Sequence, residues 1–422
     1  MDKKNIKEHN LTQIINRSSV LGGAMIIAGT AVGAGMFSIP IVTAGVWFTG
    51  SVLLMLYTWI CMYMSGLMIL EASLNYPSGA SFYTIVGDLM GSAWNSLNGI
   101  SIAFVLYALN YAYIISAGKS IIIENTGSSY LNIGQTATSL SCTILVALAV
   151  WLSTQAVDRL NTILISGMII TFLLSTADMF THVHASVLFN CSDSHANYLP
   201  YAMASLPYLL TSFGYHGNVP SLVKYYNKDA KSVVLSLFIG TLIALTIYIF
   251  WQYVIQGNIS RQTFKAIIAE GGNISSLLKR VNNMSSNSIV NKLLTSFSYM
   301  ALASSFLGVS LGLFHFISDV FRFNDNISGR TKAILVTFVP PTIGALFFPN
   351  SFLYAIGFAG LAATIWAVIM PAMMARASRK KFPEANYRAP GGSVMIIFII
   401  SFGLINAAAY ILSLLHFLPV YQ

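Results

Sequence analysis

The sequence predicts an all-α polytopic membrane protein, and three observations support this prediction. Of the 422 residues, 56% are hydrophobic and 8% are charged, and the mean hydropathy is +0.71. A soluble domain carries about 25% charged residues. Apolar runs long enough to cross a bilayer recur along the chain. Glycine-rich motifs interrupt two of these runs, one in each half.

Eleven apolar runs predict eleven transmembrane helices, because each can cross a hydrocarbon core of about 30 Å when tilt and breaks are allowed. Their approximate limits are 19–46, 50–73, 94–117, 137–156, 160–180, 200–222, 233–256, 293–317, 333–348, 352–375 and 394–416. The polar segment 1–18 is interpreted as a cytoplasmic tail. The first run has no A-x-A-like cleavage site, so we expect it to remain as the first span.

The distribution of Lys and Arg predicts the orientation. With the N-terminus in the cytoplasm, 16 of the 22 fall on the inside, as the positive-inside rule requires. Five of the other six lie in or beside one long outer loop, near 257–292. The net charge of +9 is therefore read as a topology signal, and no nucleic-acid partner is expected. An odd number of spans places the C-terminus outside.

The long outer loop alternates apolar and polar residues. It carries Phe264, Ile267, Ile268, Leu277 and Leu278 between polar neighbours. This pattern predicts one or two short helices over the outer vestibule, which either act as a lid or pack on the surface.

The two glycine-rich motifs predict broken helices. The first runs from Gly33 to Pro40 and the second from Ser212 to Pro220, with the two prolines 180 residues apart. Lipid cannot replace lost backbone hydrogen bonds, so breaks at matching positions indicate a cavity near the bilayer midplane, as in transporters built from repeats. Each break offers free N–H groups and free carbonyls, which together fit a zwitterion. A packing role for the Gly29–Gly33 pair remains an alternative for the first motif alone.

Several side chains are candidates for the site. His216 lies in the second break and is a candidate for coupling or substrate contact. Ser304 and Ser305 in the eighth span could offer hydroxyls to a cation or pack against a neighbouring helix. The remaining candidates for a flat pocket are Tyr107, Asn110, Tyr111 and Phe213. Glu71 lies near a helix end, where an interfacial charge or a structural ion pair is expected.

These stretches resemble the hydroxy/aromatic amino acid permeases of bacteria, in the amino acid–polyamine–organocation superfamily, and most of all their tryptophan-specific branch. The matching stretches are GTAVGAGMFSIP at 29–40, SGLMILEASLNY at 65–76, NGISIAFVLY at 98–107, VWLSTQAV at 150–157, SFGYHGNVPSL at 212–222, ASSFLGVSLGLF at 303–314, FLYAIGFAGLAATIWA at 352–367 and LPVYQ at 418–422.

The resemblance implies two inverted repeats of five helices, at 19–180 and 200–375, followed by an eleventh helix and C-terminus at 393–422. It also implies proton-driven import of tryptophan across the bacterial cytoplasmic membrane, with no cofactor and no metal. The substrate backbone would be held by Gly33, Ala34 and Gly35 and by Ser212, Phe213 and Gly214, with Phe213 as a gate. The hydroxyls of Ser304 and Ser305 correspond to a cation site in sodium-coupled relatives.

Other interpretations remain open. The cargo could be tyrosine, phenylalanine or a small hydroxy amino acid, and the coupling ion could be sodium. A membrane enzyme or a channel is disfavoured, because the chain has no HExxH or GxxxxGK-[ST] motif and no cluster of membrane-embedded carboxylates or histidines.

Overall fold

The computed structural model describes residues 19–122, 131–191, 197–284 and 288–421, and its regular elements are helices. The predicted cytoplasmic tail, 1–18, lies outside these ranges. The helices are α1 Val20–Ala31, α2 Ser38–Val42, α3 Trp47–Ser73, α4 Phe82–Met90, α5 Ser92–Ile122, α6 Leu131–Leu152, α7 Thr154–Thr181, α8 Ala185–Leu188, α9 Ala202–Ser212, α10 Val219–Tyr225, α11 Ala230–Asn258, α12 Thr263–Ala269, α13 Ile274–Met284, α14 Ser288–Phe321, α15 Ile327–Phe347, α16 Phe352–Thr364, α17 Met370–Lys381 and α18 Gly392–Leu414.

Eight helical segments in the described part of the chain are long and apolar enough to cross a membrane. The bent pair Val20–Ala31 and Gly35–Val42 makes a ninth, with an angle of 55° at its break. The predicted spans at 200–222 and 333–348 are also helical. Neither is among the segments that qualify by length and composition; the first is divided into α9 and α10, and the second, α15, contains Pro340 and Pro341. The protein is polytopic, whereas the count of eleven spans and the inverted repeat stay predictions.

The packing of α11 against α1 sets the position of the first break. A Cβ added to Gly240 of α11 would lie 2.5 Å from the Ala24 carbonyl oxygen and 2.7 Å from Ile27 Cβ. Only glycine allows the two backbones to approach this closely. The long helix α14 packs against α7, and α16 packs against α5.

The end of the bundle at which α1 begins, here called the near face, is held by polar contacts. Glu71 is 1% exposed and accepts two hydrogen bonds from Arg379, at 2.6 and 2.8 Å, and one from the Ala389 N–H. The expectation of a structural ion pair at Glu71 is therefore confirmed. A second pair, Lys381–Asp88, lies at 2.6 Å on the surface. Hydrogen bonds from Lys381 and from Tyr76 hold the pKa of the Asp88 carboxyl below its usual value.

The opposite end, here called the far face, is covered by the two short helices that the amphiphilic loop predicts, α12 and α13. Phe264 and Ile267 of α12 are fully buried, and the Phe264 ring meets Trp47 edge-on at 5.7 Å. Arg261 donates to the carbonyls of Ala44 and Gly45, just after α2 ends. The loop is thus packed into the bundle over the first broken helix.

Candidate functional site

The first predicted break is present in the structure. After α1 ends at Ala31, Val32 and Gly33 are extended, and a 3-10 turn, Ala34–Phe37, leads into α2. Gly33 lies close to α14, because a Cβ there would lie 2.4 Å from Ser305 Oγ, and that hydroxyl would have to move to admit a larger residue. The first N–H groups of the second segment, from Ala34 and Gly35, have no preceding helical turn to bond.

The second predicted break is also present. Helix α9 ends at Ser212, and Phe213, Gly214 and Tyr215 pass into a 3-10 turn, His216–Asn218, before α10 begins. Gly214 is exposed, whereas Phe213 is fully buried. Helix α10 has Pro220 in its first turn, where the missing N–H costs no helical hydrogen bond.

One buried side chain joins the two breaks. The Tyr248 hydroxyl of α11 lies within hydrogen-bond distance of two carbonyl oxygens, at 2.6 Å from Ala31 and 2.7 Å from Ser212, and its single proton is shared between them. Its ring meets Phe213 edge-on at 5.2 Å. A Cβ on Gly35 would lie 4.0 Å from Ser212 Oγ, so the two breaks face each other directly. Sequence reasoning missed Tyr248, whose only local signal is a hydroxyl in an apolar run.

The junction of the two breaks opens toward the near face. Within the described part of the chain, a Cβ on Gly29 or on Gly308 would meet nothing within 4 Å. Each of these glycines lies about one helical turn closer to the near face than the contact between Gly33 and Ser305. The space between α1 and α14 therefore widens from that contact toward the near face.

The turn after the second break lies beside the last turn of α1. An added Cβ on the exposed Gly217 would have no atom of the described residues within 4 Å. Beside it, the Asn218 amide donates to the Thr30 hydroxyl at 2.6 Å. This bond ties the turn after the second break to the last turn of α1.

Toward the far face the junction is closed by aromatic rings. Phe37, in the 3-10 turn, lies 5.5 Å from the Trp251 ring and 5.3 Å from the Phe297 ring. Phe172 lies 5.1 Å from the Phe297 ring on the other side. All four side chains are buried. The aromatic cluster therefore separates the junction from the far face in this conformation.

His216 lies beside the junction but points away from the open space. Its Nε2 donates to the Met62 carbonyl at 3.2 Å, and its ring stacks on Tyr215 and meets Trp366 edge-on at 6.1 Å. The side chain is fully buried, and Nδ1 has no partner among the residues that the structure describes.

The candidate residues of α5 direct their polar groups to other helices. The Tyr107 hydroxyl donates to the Val336 carbonyl, and the Tyr111 hydroxyl donates to the Phe348 carbonyl. The Asn110 side chain is buried and accepts from Ser310 at 2.6 Å. In this conformation these groups brace α14, α15 and the segment after α15.

The two serines of α14 differ. Ser304 is buried and donates to the carbonyl of Ala301 in its own helix, at 3.2 Å. Ser305 lies against Gly33 and is half-buried. Of the two hydroxyls, only that of Ser305 adjoins the first break.

The junction brings together main-chain groups of both polarities. Free N–H groups at the start of the second segment favour a carboxylate, and carbonyls at helix ends favour an ammonium group. The glycines leave room for a ligand to touch the main chain.

Comparison with known proteins identifies the family. The profile of the tryptophan/tyrosine permease family matches residues 16–410. A "Tryptophan-specific transport protein" of Pseudomonas aeruginosa is 54% identical over 406 residues, covering 96% of this chain and 97% of the relative. One of the same name from Haemophilus influenzae is 53% identical, covering 93% and 96%. A "Tyrosine permease" of Enterobacter agglomerans is 40% identical, covering 96% and 98%. The chain belongs to the tryptophan/tyrosine permease family, as its motifs indicated.

Proposed function

We propose that this protein imports tryptophan across the bacterial cytoplasmic membrane by alternating access, driven by the proton gradient. The observation that carries the proposal is the junction of the two broken helices, with free space beside Gly29 and Gly308 on one side and packed aromatic rings on the other. A one-sided site at the centre of a bundle is the geometry that alternating access needs. The names of the relatives at 53–54% identity support tryptophan as the cargo.

In this proposal, the near face is cytoplasmic and the far face is outside. The excess of Lys and Arg at the near-face ends supports the orientation. The conformation is then inward-open, with the four-ring aromatic cluster and α12–α13 closing the outer side. The chain has eleven spans, in two inverted repeats of five and a final helix, with its C-terminus outside.

The carboxylate of the substrate binds the N–H groups of Ala34 and Gly35, and its ammonium group binds carbonyls of the second break near Phe213 and Gly214. Phe213, whose buried ring packs edge-on against Tyr248 within the second break, acts as a gate. Tyr107, Asn110 and Tyr111 act by bracing α5 against α14 and α15, and they contribute to the indole pocket when the helices rearrange.

His216 is the candidate for proton coupling. It is buried beside the second break, and its unpartnered Nδ1 can accept a proton without losing the bond to Met62. The rival with sodium coupling would use Ser304 and Ser305. Ser304 donates to its own helix, which leaves its oxygen lone pairs for a cation, so the measurement of uptake with and without sodium decides between the two ions.

Tyrosine is an alternative substrate, since a tyrosine permease is 40% identical to this chain. Tyrosine, phenylalanine or a small hydroxy amino acid would use the same backbone contacts and differ only in the side-chain pocket.

The test is uptake of labelled tryptophan into proteoliposomes under an imposed pH gradient, with sodium or choline as the salt. Unlabelled tyrosine, phenylalanine and serine serve as competitors, and empty liposomes serve as the control. We expect accumulation when the outside is acidic, independent of sodium and blocked best by tryptophan. Uptake that needs sodium, or that is blocked better by tyrosine, would overturn the coupling or the cargo. Absence of counterflow would overturn the carrier mechanism.

A further inference from the structure

Two helix ends converge on a single hydroxyl group at the centre of the molecule. Ala31 is the last residue of α1 and Ser212 is the last residue of α9. Both carbonyl oxygens lie within hydrogen-bond distance of Tyr248 Oη, at 2.6 and 2.7 Å. The carbonyls at the C-terminal end of a helix carry its partial negative charge. Two such ends at one point repel each other unless a positive group lies between them.

A cation or a proton donor can satisfy this arrangement. Hard cations take oxygen ligands, and main-chain carbonyls are common among them. Unwound helices at the centre of a membrane carrier supply such carbonyls. Here the Tyr248 O–H lies between the two carbonyls. The partial positive charge of its hydrogen takes the role that the full charge of a cation would have.

We infer that the Tyr248 hydroxyl permanently occupies the position where a monovalent cation would otherwise join the two broken helices. It thereby fixes the spacing of the two breaks without a bound metal ion. Tyr248 is a positioning residue in this inference, since it acts on the substrate through the two helix ends.

The surroundings of Tyr248 hold its hydroxyl in place. The side chain is fully buried, and its ring packs against Phe213 of the second break. Its helix, α11, contacts α1 through Gly240 at a distance that leaves no room for a methyl group. The hydroxyl cannot withdraw unless the helix moves with it.

The inference rests on the proposed function for its consequence in transport, and it predicts that substrate binding needs no sodium. It can be tested without tryptophan, because a vacated cation position binds an ion whether or not substrate is present. The variant is Tyr248→Phe, which keeps the ring and removes only the donor.

The control is Tyr226→Phe. Tyr226 is also buried, and its hydroxyl contacts the Ser19 carbonyl and Ser236 Oγ, each at 2.8 Å, at the near face. This substitution therefore removes a comparable buried hydroxyl that joins α1 to α11 far from the breaks.

The measurement is the melting temperature of purified protein in sodium, lithium or choline chloride at one ionic strength. We expect no difference among the salts for wild type and Tyr226→Phe, and a higher melting temperature in sodium or lithium for Tyr248→Phe. Stabilisation of wild type by sodium would overturn the inference, even if Tyr248→Phe did not fold. Equal melting of Tyr248→Phe in all three salts would overturn it as well.

Tryptophan binding is the second readout. We expect Tyr248→Phe to weaken binding about tenfold or more in choline, because two helix ends lose the donor that they share, and sodium to restore part of the loss. The maximal uptake rate should change less than KM. Failure of wild type to bind tryptophan would reject the proposed function and leave the melting experiment to decide the inference.

Discussion

A leucine in place of Gly35 should abolish substrate binding and leave the fold intact. Gly35 has no positive φ, and a Cβ there would make only an ordinary contact, 4.0 Å from Ser212 Oγ. The first carbon of the new side chain therefore fits without moving the backbone. We expect the free energy of unfolding to change by less than about 1 kcal/mol.

The loss of binding follows from the hydrogen bonds that the leucine blocks. A hydrogen bond from an N–H to a charged group contributes about 1.5–3 kcal/mol. Blocking two of them, at Ala34 and Gly35, removes about 3–6 kcal/mol and weakens tryptophan binding by about 10²- to 10⁴-fold. Gly35→Ala adds a single methyl group and should give a smaller loss.

The assay is equilibrium binding of labelled tryptophan to purified protein in nanodiscs, combined with a melting curve. The control is Gly312→Leu, because a Cβ at Gly312 has the same 4.0 Å clearance, from Leu106. Gly312 lies about 10 Å along α14 from Ser305. We expect this control to retain wild-type affinity. A Gly35→Leu protein that folds and binds tryptophan within about threefold of wild type, well below the loss of at least 10²-fold expected above, would remove the first break from the site.

Three further predictions concern charges and protons. Arg379→Ala should lower the free energy of unfolding by about 3 kcal/mol in chemical denaturation, since it leaves the Glu71 carboxylate buried without its cationic partner. The double variant Glu71→Leu/Arg379→Leu should recover part of this loss. An equal loss in the single and the double variant would contradict this explanation. The pKa of Asp88 is lower in the folded protein than in the unfolded chain, so its pairing with Lys381 stabilises the fold at any pH above the ordinary Asp pKa of about 3.9. This stabilisation is lost only when the pH falls through the pKa that Asp88 has in the folded protein. Asp88→Asn should therefore lower the melting temperature equally at pH 5 and pH 8, and a loss confined to pH 8 would refute this assignment. If His216 carries the coupling proton, His216→Gln should flatten the dependence of uptake on external pH, whereas an unchanged profile would leave His216 as a packing residue.

The helices and both breaks could be predicted because their signals are local. Hydropathy marks the spans, and glycine followed by proline marks where a helix is interrupted. The amphiphilic pattern of 257–292 likewise predicts the two short helices α12 and α13. In each case the sequence of a few neighbouring residues contains the physical cause.

The side-chain geometry of the site could not be predicted, because it depends on how distant helices are rotated against each other. Tyr248 is 217 residues from Ala31, to which it donates. The hydroxyls of Tyr107 and Tyr111 donate to carbonyls that are 229 and 237 residues away along the chain. Position in the second break suggests that His216 contacts the cavity, but the rotation of the 3-10 turn directs its ring toward Met62.

A cryo-EM structure with bound tryptophan shows directly whether the junction of the two breaks is the binding site. We expect density for the amino acid at this junction, with its carboxylate within hydrogen-bond distance of the Ala34 and Gly35 N–H groups and its ammonium group at the carbonyls near Phe213. Tryptophan bound elsewhere in the bundle, with both breaks unoccupied, would contradict it.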